Sequence, residues 1–253
     1  MAYPRIAYKN YWRDGTIIAL DDEHPQYPAE DTQQDSRQFV WRSVDAPTAA
    51  TAIDCDFGAA YEYDFIALLG HNLTAGATIE VIGADDDAFS VNDVTDTLTY
   101  RGNDIFEILG TARTKRYVRL SIVDTGNPSG YLQVGPIFVG KARALNRKNI
   151  PGHARGYVNP TETEEVPAGV EFKTRAGASR EARELTFLTL NEISAGYIRS
   201  LLEECASHQA FAFILDPTAP GNNTLWVVLT NQALMDSNVY QHWDWAAAIK
   251  EVL

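Results

Sequence analysis

The 253-residue sequence contains few residues of the kinds that build metal and redox sites. It has two cysteines and five histidines, and none lies at the H-E-x-x-H or C-x-x-C spacing of a zinc site. The G-x-S-x-G nucleophile motif and the phosphate-binding Walker loop are also absent. Cys55 and Cys205 fall in different predicted domains, which favours two buried thiols over a disulfide and indicates a reducing compartment. We therefore expect no metal, no cofactor and no catalytic activity.

Positive charge is also scarce. The chain carries 21 Lys and Arg against 34 Asp and Glu, a net charge of -13. A surface that binds nucleic acid needs clustered cations to displace counterions from phosphates, so we expect no nucleic-acid partner. The sequence has no apolar run of the roughly 20 residues that cross a bilayer. The first 20 residues hold Arg5, Lys9, Arg13 and Asp14 and no apolar core of a secretory signal. We expect neither secretion by such a signal nor membrane insertion.

Strand patterns are concentrated in residues 53–83. Ile53, Cys55 and Phe57 alternate with aspartates, which predicts a half-buried strand. A predicted turn at Gly58–Tyr61 separates this strand from the apolar run Phe65–Leu69, which is typical of a strand covered on both faces. Three more stretches have strand patterns: Ala77–Gly83, Arg116–Ile122 and Leu132–Val139. These segments together predict a β-sandwich.

The order of these segments resembles the discoidin-like, or galactose-binding-like, jelly-roll family over residues 36–140. The resemblance is carried by Trp41-Arg42-Ser43, the Ile53–Gly58 strand, Phe65–Gly70 and Arg116–Leu120. It implies a β-sandwich with its variable loops at one end. Members of the family often carry a structural calcium near these loops, for which Asp85-Asp86-Asp87 would be the candidate. A solvated turn is the alternative interpretation of these three acids.

Two flanking segments have open interpretations. The aromatic-rich residues 1–40 form either a first strand packed on the sandwich or an arm that docks on a neighbouring subunit. Residues 141–156 form a predicted linker, which contains no acid between Lys141 and Arg155. It is either a solvated connection or a contact strip for an acidic face of another domain or copy. In the second case the candidate subunit-interface residues are Lys141, Arg143, Arg147, Lys148 and Arg155.

Residues 157–253 predict a second domain of the α+β class. Val166–Thr174 and Arg183–Leu190 are predicted to form a long hairpin. Asn191 is a predicted N-cap for the principal helix of the chain. An apolar stripe on that helix contains Ile193, Tyr197, Ile198, Leu201, Leu202 and Cys205. Three strands are predicted to follow, Ala210–Leu215, Leu225–Thr230 and Trp245–Leu253. The predicted fold is thus mainly β with one principal helix, divided as 1–140, 141–156 and 157–253.

The second domain resembles the tail-tube-like domain of tailed-phage proteins. The resemblance is carried by Phe211–Pro217, Trp226–Leu229 and the closing Ile249-Lys250-Glu251-Val252. It implies a structural protein of a tail tip or baseplate, most like a distal tail protein, made in the host cytoplasm and incorporated in the virion tail. Its implied partners are copies of itself in a hexameric or other cyclic ring, and tail tube, hub and baseplate proteins. The sandwich would then anchor other baseplate components.

Aromatic residues in or beside predicted loops leave a second function open. Sugar sites combine aromatic faces with a few polar groups, and Tyr61, Tyr63, Trp41 and Tyr131 have such positions. His71 lies in a turn after a core strand, where it either contacts a ligand or caps the backbone. Tyr61, Tyr63 and His71 are therefore the candidate ligand-binding residues of a carbohydrate- or receptor-binding module, with cell-surface glycan as the partner. A glycan-acting enzyme is the third alternative, because the many acids could place two carboxylates at catalytic distance.

Overall fold

The computed structural model describes residues 3–45, 50–91, 93–102, 104–147, 155–158, 161–166, 170–175, 180–205, 209–230, 234–239 and 242–252. The chain folds into two compact units. The first contains Met1–Ala144 and Phe211–Leu225, and the second contains Leu145–Ala210 and Trp226–Leu253. The first unit is therefore discontinuous in sequence, a division that the sequence patterns do not indicate.

Strands dominate both units. Up to Ala144 the elements are β1 Arg5–Ala7, α1 Tyr11–Asp14, β2 Thr16–Leu20, a 3-10 turn Ala29–Gln33, β3 Trp41–Arg42, β4 Thr51–Leu68, β5 Thr78–Ala84, β6 Val94–Thr97, β7 Ile105–Val123, β8 Gln133–Val134, β9 Ile137–Gly140 and β10 Arg143–Ala144. They are followed by β11 Arg155–Val158, β12 Thr161–Val166, β13 Val170–Arg175, β14 Arg180–Leu190, α2 Glu192–Cys205, β15 Phe211–Ile214, α3 Pro220–Asn223, β16 Thr224–Leu229, β17 Leu234–Val239 and β18 His242–Glu251. The prediction of a jelly-roll β-sandwich followed by an α+β sheet unit is confirmed.

A long antiparallel ribbon of β4 and β7 organises the sandwich. The two strands pair from Thr51 opposite Ile122 to Leu68 opposite Ile105, with register shifts between Asp56 and Phe65. The predicted turn at residues 58–61 is wrong, because β4 continues through this stretch. Bulges absorb the unpaired residues and bend the strand, and Gly58 adopts a φ of 78° there. The half before the bend also pairs with β2, and the half after it pairs with β9.

One hydrophobic core lies between the two halves of this ribbon. Ile53 and Cys55 from the first half belong to the same buried cluster as Ile66 and Leu68 from the second. The run Phe65–Leu69 is fully buried, as its pattern predicts. Neither cysteine of the chain forms a disulfide. Burial raises the pKa of the Cys55 thiol to about 12, helped by its two neighbouring aspartates, so this side chain stays protonated at neutral pH.

The N-terminal segment is part of the first unit. β1 pairs with both β10 and β15, and β2 pairs with β4. Between them, the buried side chain of Asn10 donates its Nδ2 to the carbonyl of Ile137 at 2.8 Å. Its Oδ1 accepts from the backbone nitrogens of Val139 and Trp12, both at 3.1 Å. Of the two interpretations of this segment, the structure therefore shows the packed one.

Arginine–aspartate pairs connect neighbouring strands on the outer face of the sandwich. Arg119 and Asp54 make two hydrogen bonds of 2.7 Å, and Arg116 and Asp56 make two of 2.8 Å. Bidentate contacts of this kind constrain orientation as well as position. Because both pairs join β4 to β7, they hold the register of the central ribbon.

The Arg116–Asp56 pair predicts a specific acid sensitivity. Hydrogen bonds from Arg116 lower the pKa of Asp56 in the folded protein, so the pair stabilises the fold above the ordinary aspartate pKa of about 3.9. This contribution is lost as the pH falls through the lower, folded-state pKa. We expect Arg116→Leu to lower the urea midpoint slightly at pH 7 and to leave it unchanged near pH 2. A difference between the two proteins that persists near pH 2 would contradict this assignment.

In its described residues, the second unit is an antiparallel sheet with one helix. β14 pairs with β11 and β18, and β18 also pairs with β16 and β17. The predicted hairpin of residues 166–174 with 183–190 is wrong, because β13 pairs with β12 and β14 lies in the main sheet. Strand patterns identify the strands but not their partners, which explains this error. No helix in the described part of the chain has the length and hydropathy to span a bilayer.

The principal helix, α2, begins as its sequence predicts. The side-chain oxygen of Asn191 accepts from the backbone nitrogen of Ser194 at 2.9 Å, which confirms the predicted N-cap. Ile198, Leu201 and Cys205 are buried on one face. The prediction that Ile193 belongs to that face is wrong, since Ile193 is 65% exposed. It lies in the first turn, where Ser194 and Ala195 are the buried residues.

Candidate functional site

The long connections of the sandwich meet at the end away from the bend in β4. The following strand ends face one another there: Leu20 and Ile53, Thr51 and Ile122, Thr78 and Val123, and Leu68 with Ile105 and Ile137. The segments that follow Leu20, Leu68 and Val123 are joined by hydrogen bonds, such as Asn72 N to the carbonyl of Gln133 at 3.3 Å. We refer to this end as the loop end of the sandwich.

A cluster of two tyrosines and one arginine lies at the loop end. The guanidinium carbon of Arg42 lies 3.9 Å from the ring centroid of Tyr27 and 4.9 Å from that of Tyr131. All three side chains are partly exposed. Such contacts combine the ring quadrupole with the positive charge, and they hold the planar guanidinium in one orientation. We refer to Tyr27, Arg42 and Tyr131 as the tyrosine–arginine cluster.

Strand pairing fixes the arginine of this cluster. Arg42 lies opposite Gln133 in the β3–β8 pair, and its Nε donates to Oε1 of Gln133 at 2.9 Å. The Nε2 of the same amide donates to the carbonyl of Gly70 at 3.1 Å, which sets the amide orientation. Gln133 N donates to Oδ1 of Asn72 at 2.7 Å. The guanidinium therefore has a hydrogen-bonded support behind it.

The backbone of Arg42 also positions the first tyrosine. Arg42 N donates to the carbonyl of Tyr27 at 3.2 Å, and the carbonyl of Arg42 accepts from His24 N at 2.8 Å. The turn between His24 and Tyr27 closes through Tyr27 N and the carbonyl of His24 at 2.9 Å. The imidazole of His24 then lies 5.2 Å from the ring of Tyr27, between centroids. The sequence places these residues 15 or more positions before Arg42, so only the fold reveals the cluster.

A buried carboxylate holds the neighbouring loops together. Asp124 accepts from Thr74 N at 2.8 Å, from Thr74 Oγ1 at 2.7 Å and from Asn127 Nδ2 at 3.1 Å. Asn72 adds a bond from its Nδ2 to the carbonyl of Tyr131 at 2.8 Å. Tyr131 is therefore attached to a cross-linked loop. Preorganisation of this kind lowers the entropic cost of binding.

His71 lies at the loop end, but its described contacts are structural. Its Nδ1 accepts from Leu73 N at 3.2 Å, the backbone-capping role that was one of the two alternatives. Burial lowers the pKa of His71, and the charge of Asp104 and the Arg101 carbonyl only partly oppose this, so the imidazole is neutral at pH 7. Its ring packs near Tyr100, with centroids 6.0 Å apart.

The structure does not bring Tyr61 and Tyr63 together with His71. Both tyrosines lie in the bend of β4, away from the loop end. Tyr61 is partly exposed and stacks on Tyr11, with ring centroids 4.5 Å apart. Tyr63 is buried beneath Gly83, where a Cβ would lie 2.4 Å from its hydroxyl oxygen, and burial raises its pKa. The position of Tyr63 in the core is at odds with the predicted ligand contact, because a side chain that is 1% exposed presents no surface to a ligand.

The candidate interface residues are divided between the two units. Lys141 is 17% exposed, and its ammonium bonds to Glu62 at 2.6 Å and lies 3.3 Å from Asp64. Arg143 also belongs to the first unit, where its backbone pairs with Ile6. In the second unit, Arg147 Nε donates to Thr189 Oγ1 at 3.1 Å. Arg155 lies opposite Arg183 in the β11–β14 pair, and Lys148 lies outside the described residues.

The three acids at residues 85–87 do not converge on one point. Asp86 accepts from Ser90 N, Ser90 Oγ and Val91 N, which makes it the cap of an exposed turn. Asp85 pairs with Lys115 at 3.1 Å. Within the described residues, no group of three or more His, Cys, Asp or Glu side chains is placed to hold a metal ion.

Several solved structures are similar to about half of this chain. One is a chitosan-binding module from a chitosanase/glucanase of Paenibacillus sp. IK-5, at 21% identity and a TM-score of 0.43, covering 52% of this chain and 98% of the module. Another is CBM32-1 from a family 31 glycoside hydrolase of Clostridium perfringens, at 14% identity and a TM-score of 0.41, covering 53% and 99%. A GH29 fucosidase of Ruminococcus gnavus has 13% identity and a TM-score of 0.44, with 53% of this chain against 27% of the enzyme. No family model and no curated protein matches the chain.

Proposed function

We propose that the first unit is a carbohydrate-binding module that holds a saccharide at the loop end of the sandwich. The observation that carries this proposal is the tyrosine–arginine cluster, in which two partly exposed rings meet a fixed guanidinium. Such a combination suits sugars, because their C–H faces pack on aromatic rings while their hydroxyls need directional donors. Gln133 and Asn72 hold the cluster in place, so little ordering is required on binding.

Tyrosine substitutions at the two ends of the sandwich test this function. We expect a glycan array to identify a bound saccharide, and Tyr131→Ala to weaken its binding about tenfold or more, which corresponds to ~1.4 kcal/mol. Tyr27→Ala should act in the same direction. Tyr61→Ala is the matched control, since it removes a partly exposed tyrosine at the bend and should leave the affinity unchanged. The proposal fails if no saccharide binds, or if Tyr61→Ala alone abolishes binding.

A second candidate function is the one that the tail-tube-like resemblance implies, a ring subunit in the tail tip or baseplate of a phage. The observation that favours it is the β12–β13 hairpin. These strands pair over residues 161–166 and 170–175 and form a two-stranded sheet that includes no other described strand. An isolated hairpin is marginally stable in water, and unpaired strand edges readily add strands from another copy. A ring in which neighbouring copies complete this sheet would satisfy those edges.

Solution size measurements test the ring. We expect sedimentation velocity to show a concentration-dependent oligomer of defined stoichiometry, because each hairpin offers the same edge to the next copy. Replacing residues 161–175 by a short Gly-Ser loop should abolish the oligomer, while Tyr131→Ala should leave it intact. A protein that stays monomeric at the highest concentrations reached would rule out self-assembly. Electron microscopy of virions containing the chain would place it within a tail.

A further inference from the structure

We propose that the saccharide held by the tyrosine–arginine cluster carries a carboxylate, as a hexuronic acid does, and that Arg42 binds this group. The inference rests on the proposed glycan-binding function and adds the chemical class of the ligand. It comes from a difference between Arg42 and most other arginines of the first unit, and from the part of its guanidinium that makes no described hydrogen bond.

Most arginines described in the first unit pair with an aspartate of the same unit. The pairs are Arg5–Asp64, Arg13–Asp14, Arg37–Asp104, Arg113–Asp96, Arg116–Asp56 and Arg119–Asp54. Arg42 instead bonds to an amide oxygen and contacts two aromatic rings. Within the described residues, no carboxylate lies within ion-pair distance of Arg42.

Nearby acids are held in other contacts. Asp21 accepts from Ala52 N at 3.1 Å, Asp22 from Val44 N at 3.2 Å, and Glu23 from Ala29 N at 2.7 Å. These hydrogen bonds attach the carboxylates of Asp21, Asp22 and Glu23 to backbone N–H groups, and none of the three forms an ion pair with Arg42. Among the residues that the structure describes, the positive charge of Arg42 is thus left without a counterion, although the chain as a whole has a net charge of -13.

The geometry leaves one edge of the guanidinium for a ligand. Its Nε hydrogen is used by Gln133, and its carbon lies at stacking distance from Tyr27. The two terminal nitrogens remain, and their parallel N–H groups match the two oxygens of a carboxylate. A lysine at this position would provide a point charge without that match. The rings of Tyr27 and Tyr131, which lie beside the guanidinium, would contact the sugar ring that carries the carboxylate.

Calorimetric titration with matched oligosaccharides tests the inference. The probes are an oligogalacturonate, its fully methyl-esterified form and a galactan oligosaccharide whose negative charge comes from sulfate esters instead of carboxylates. We expect the acid form to bind about tenfold more tightly than the ester, because charge-assisted hydrogen bonds exceed neutral ones by about that factor. The preference should shrink with added salt. The negative charges of Asp21, Asp22 and Glu23 reduce the long-range attraction between the protein and an anionic saccharide. We therefore expect the preference for the acid form to be no larger than about tenfold.

Variants assign the preference to Arg42. Arg42→Gln should bind acid and ester equally, and Arg42→Lys should retain part of the preference. Lys9→Gln is the matched control, because it removes one exposed positive charge near Tyr11 and Tyr61 at the bend, and it should keep the full preference. Circular dichroism of each variant confirms that it is folded, and the lysine variant serves as the test if the glutamine variant is not.

The outcomes separate the inference from the function on which it rests. Equal affinity of the wild-type protein for acid and ester overturns the inference, as does a stronger preference for the sulfate ester. If another, uncharged saccharide binds and Tyr131→Ala weakens it, carbohydrate binding stands while the carboxylate assignment fails. If the glycan array shows no bound saccharide at all, the proposed function itself fails.

Discussion

Arg119→Leu should destabilise the first unit by about 3 kcal/mol, whereas Arg116→Leu should have little effect at neutral pH. Both arginines join β7 to β4 by two hydrogen bonds, so the substitutions are matched in chemistry and position. They differ in the burial of the partner. The side chain of Asp54 is 3% exposed and that of Asp56 is 18% exposed. Loss of Arg119 leaves a carboxylate charge unpaired away from water, which costs several kcal/mol in comparable cases.

The expected loss of about 3 kcal/mol is at the low end of the cost of an unpaired buried charge. The reason is that the Arg119 side chain is 33% exposed, so water can partly take its place beside Asp54. Urea denaturation of the two variants at pH 7 measures the difference. The double variant Asp54→Val with Arg119→Leu should recover much of the loss, since it removes both charges together. Equal midpoints for Arg119→Leu and Arg116→Leu would show that burial of the aspartate does not govern the cost.

Asn10→Ala should also destabilise the first unit by about 3 kcal/mol. The side chain of Asn10 is buried and bonds to Ile137, Val139 and Trp12. Alanine would leave one carbonyl and two N–H groups of the backbone without these partners. Each hydrogen bond contributes a net stabilisation of about 1 kcal/mol, and a buried polar group left without a partner costs about 1–3 kcal/mol. Water entering the vacated space would offset part of that sum.

An asparagine elsewhere provides the control for this substitution. Asn223 donates its Nδ2 to the carbonyl of Ala219 at 3.0 Å in an exposed part of the same unit. Asn223→Ala should therefore change the thermal midpoint far less than Asn10→Ala. Hydrogen exchange adds a site-specific measurement, because the amide of Val139 should lose protection in the Asn10 variant. Unchanged protection there would mean that the side chain of Asn10 does not hold β9 in place.

Local sequence patterns predict much of the sandwich. The apolar run Phe65–Leu69 and the alternating residues around Ile53 are buried as their hydropathy requires. The composition of Gly58–Tyr61 predicts a turn at the position where β4 bends, and the structure shows residues 58–62 exposed. Both a turn and a bulged strand place such residues in solvent. The difference depends on pairing with β7, which starts about fifty residues later in the chain.

The candidate site depends even more on long-range pairing. Arg42 and Gln133 lie 91 positions apart, and only the β3–β8 pair brings them together. The sequence around Tyr131 predicts that it lies in a loop, but nothing near it in sequence indicates that Tyr27 contacts the same arginine. Tyr61 and Tyr63 have the residue type expected of a sugar site, yet they lie in the bend of β4, away from the loop end. Residue type thus indicates the chemistry of the site, and the sheet register decides its location.

The discontinuity of the first unit has a consequence for synthesis on the ribosome. β1 obtains one of its two neighbours from β15, with Ile6 opposite Phe213. That strand is translated only after Leu145–Ala210, which belong to the second unit. Until then the nascent chain exposes an unsatisfied strand edge, which is a hazard for association with other nascent chains. A gene truncated by a stop codon after Ala144 should accordingly give a protein that aggregates, even though this protein contains every residue of the tyrosine–arginine cluster.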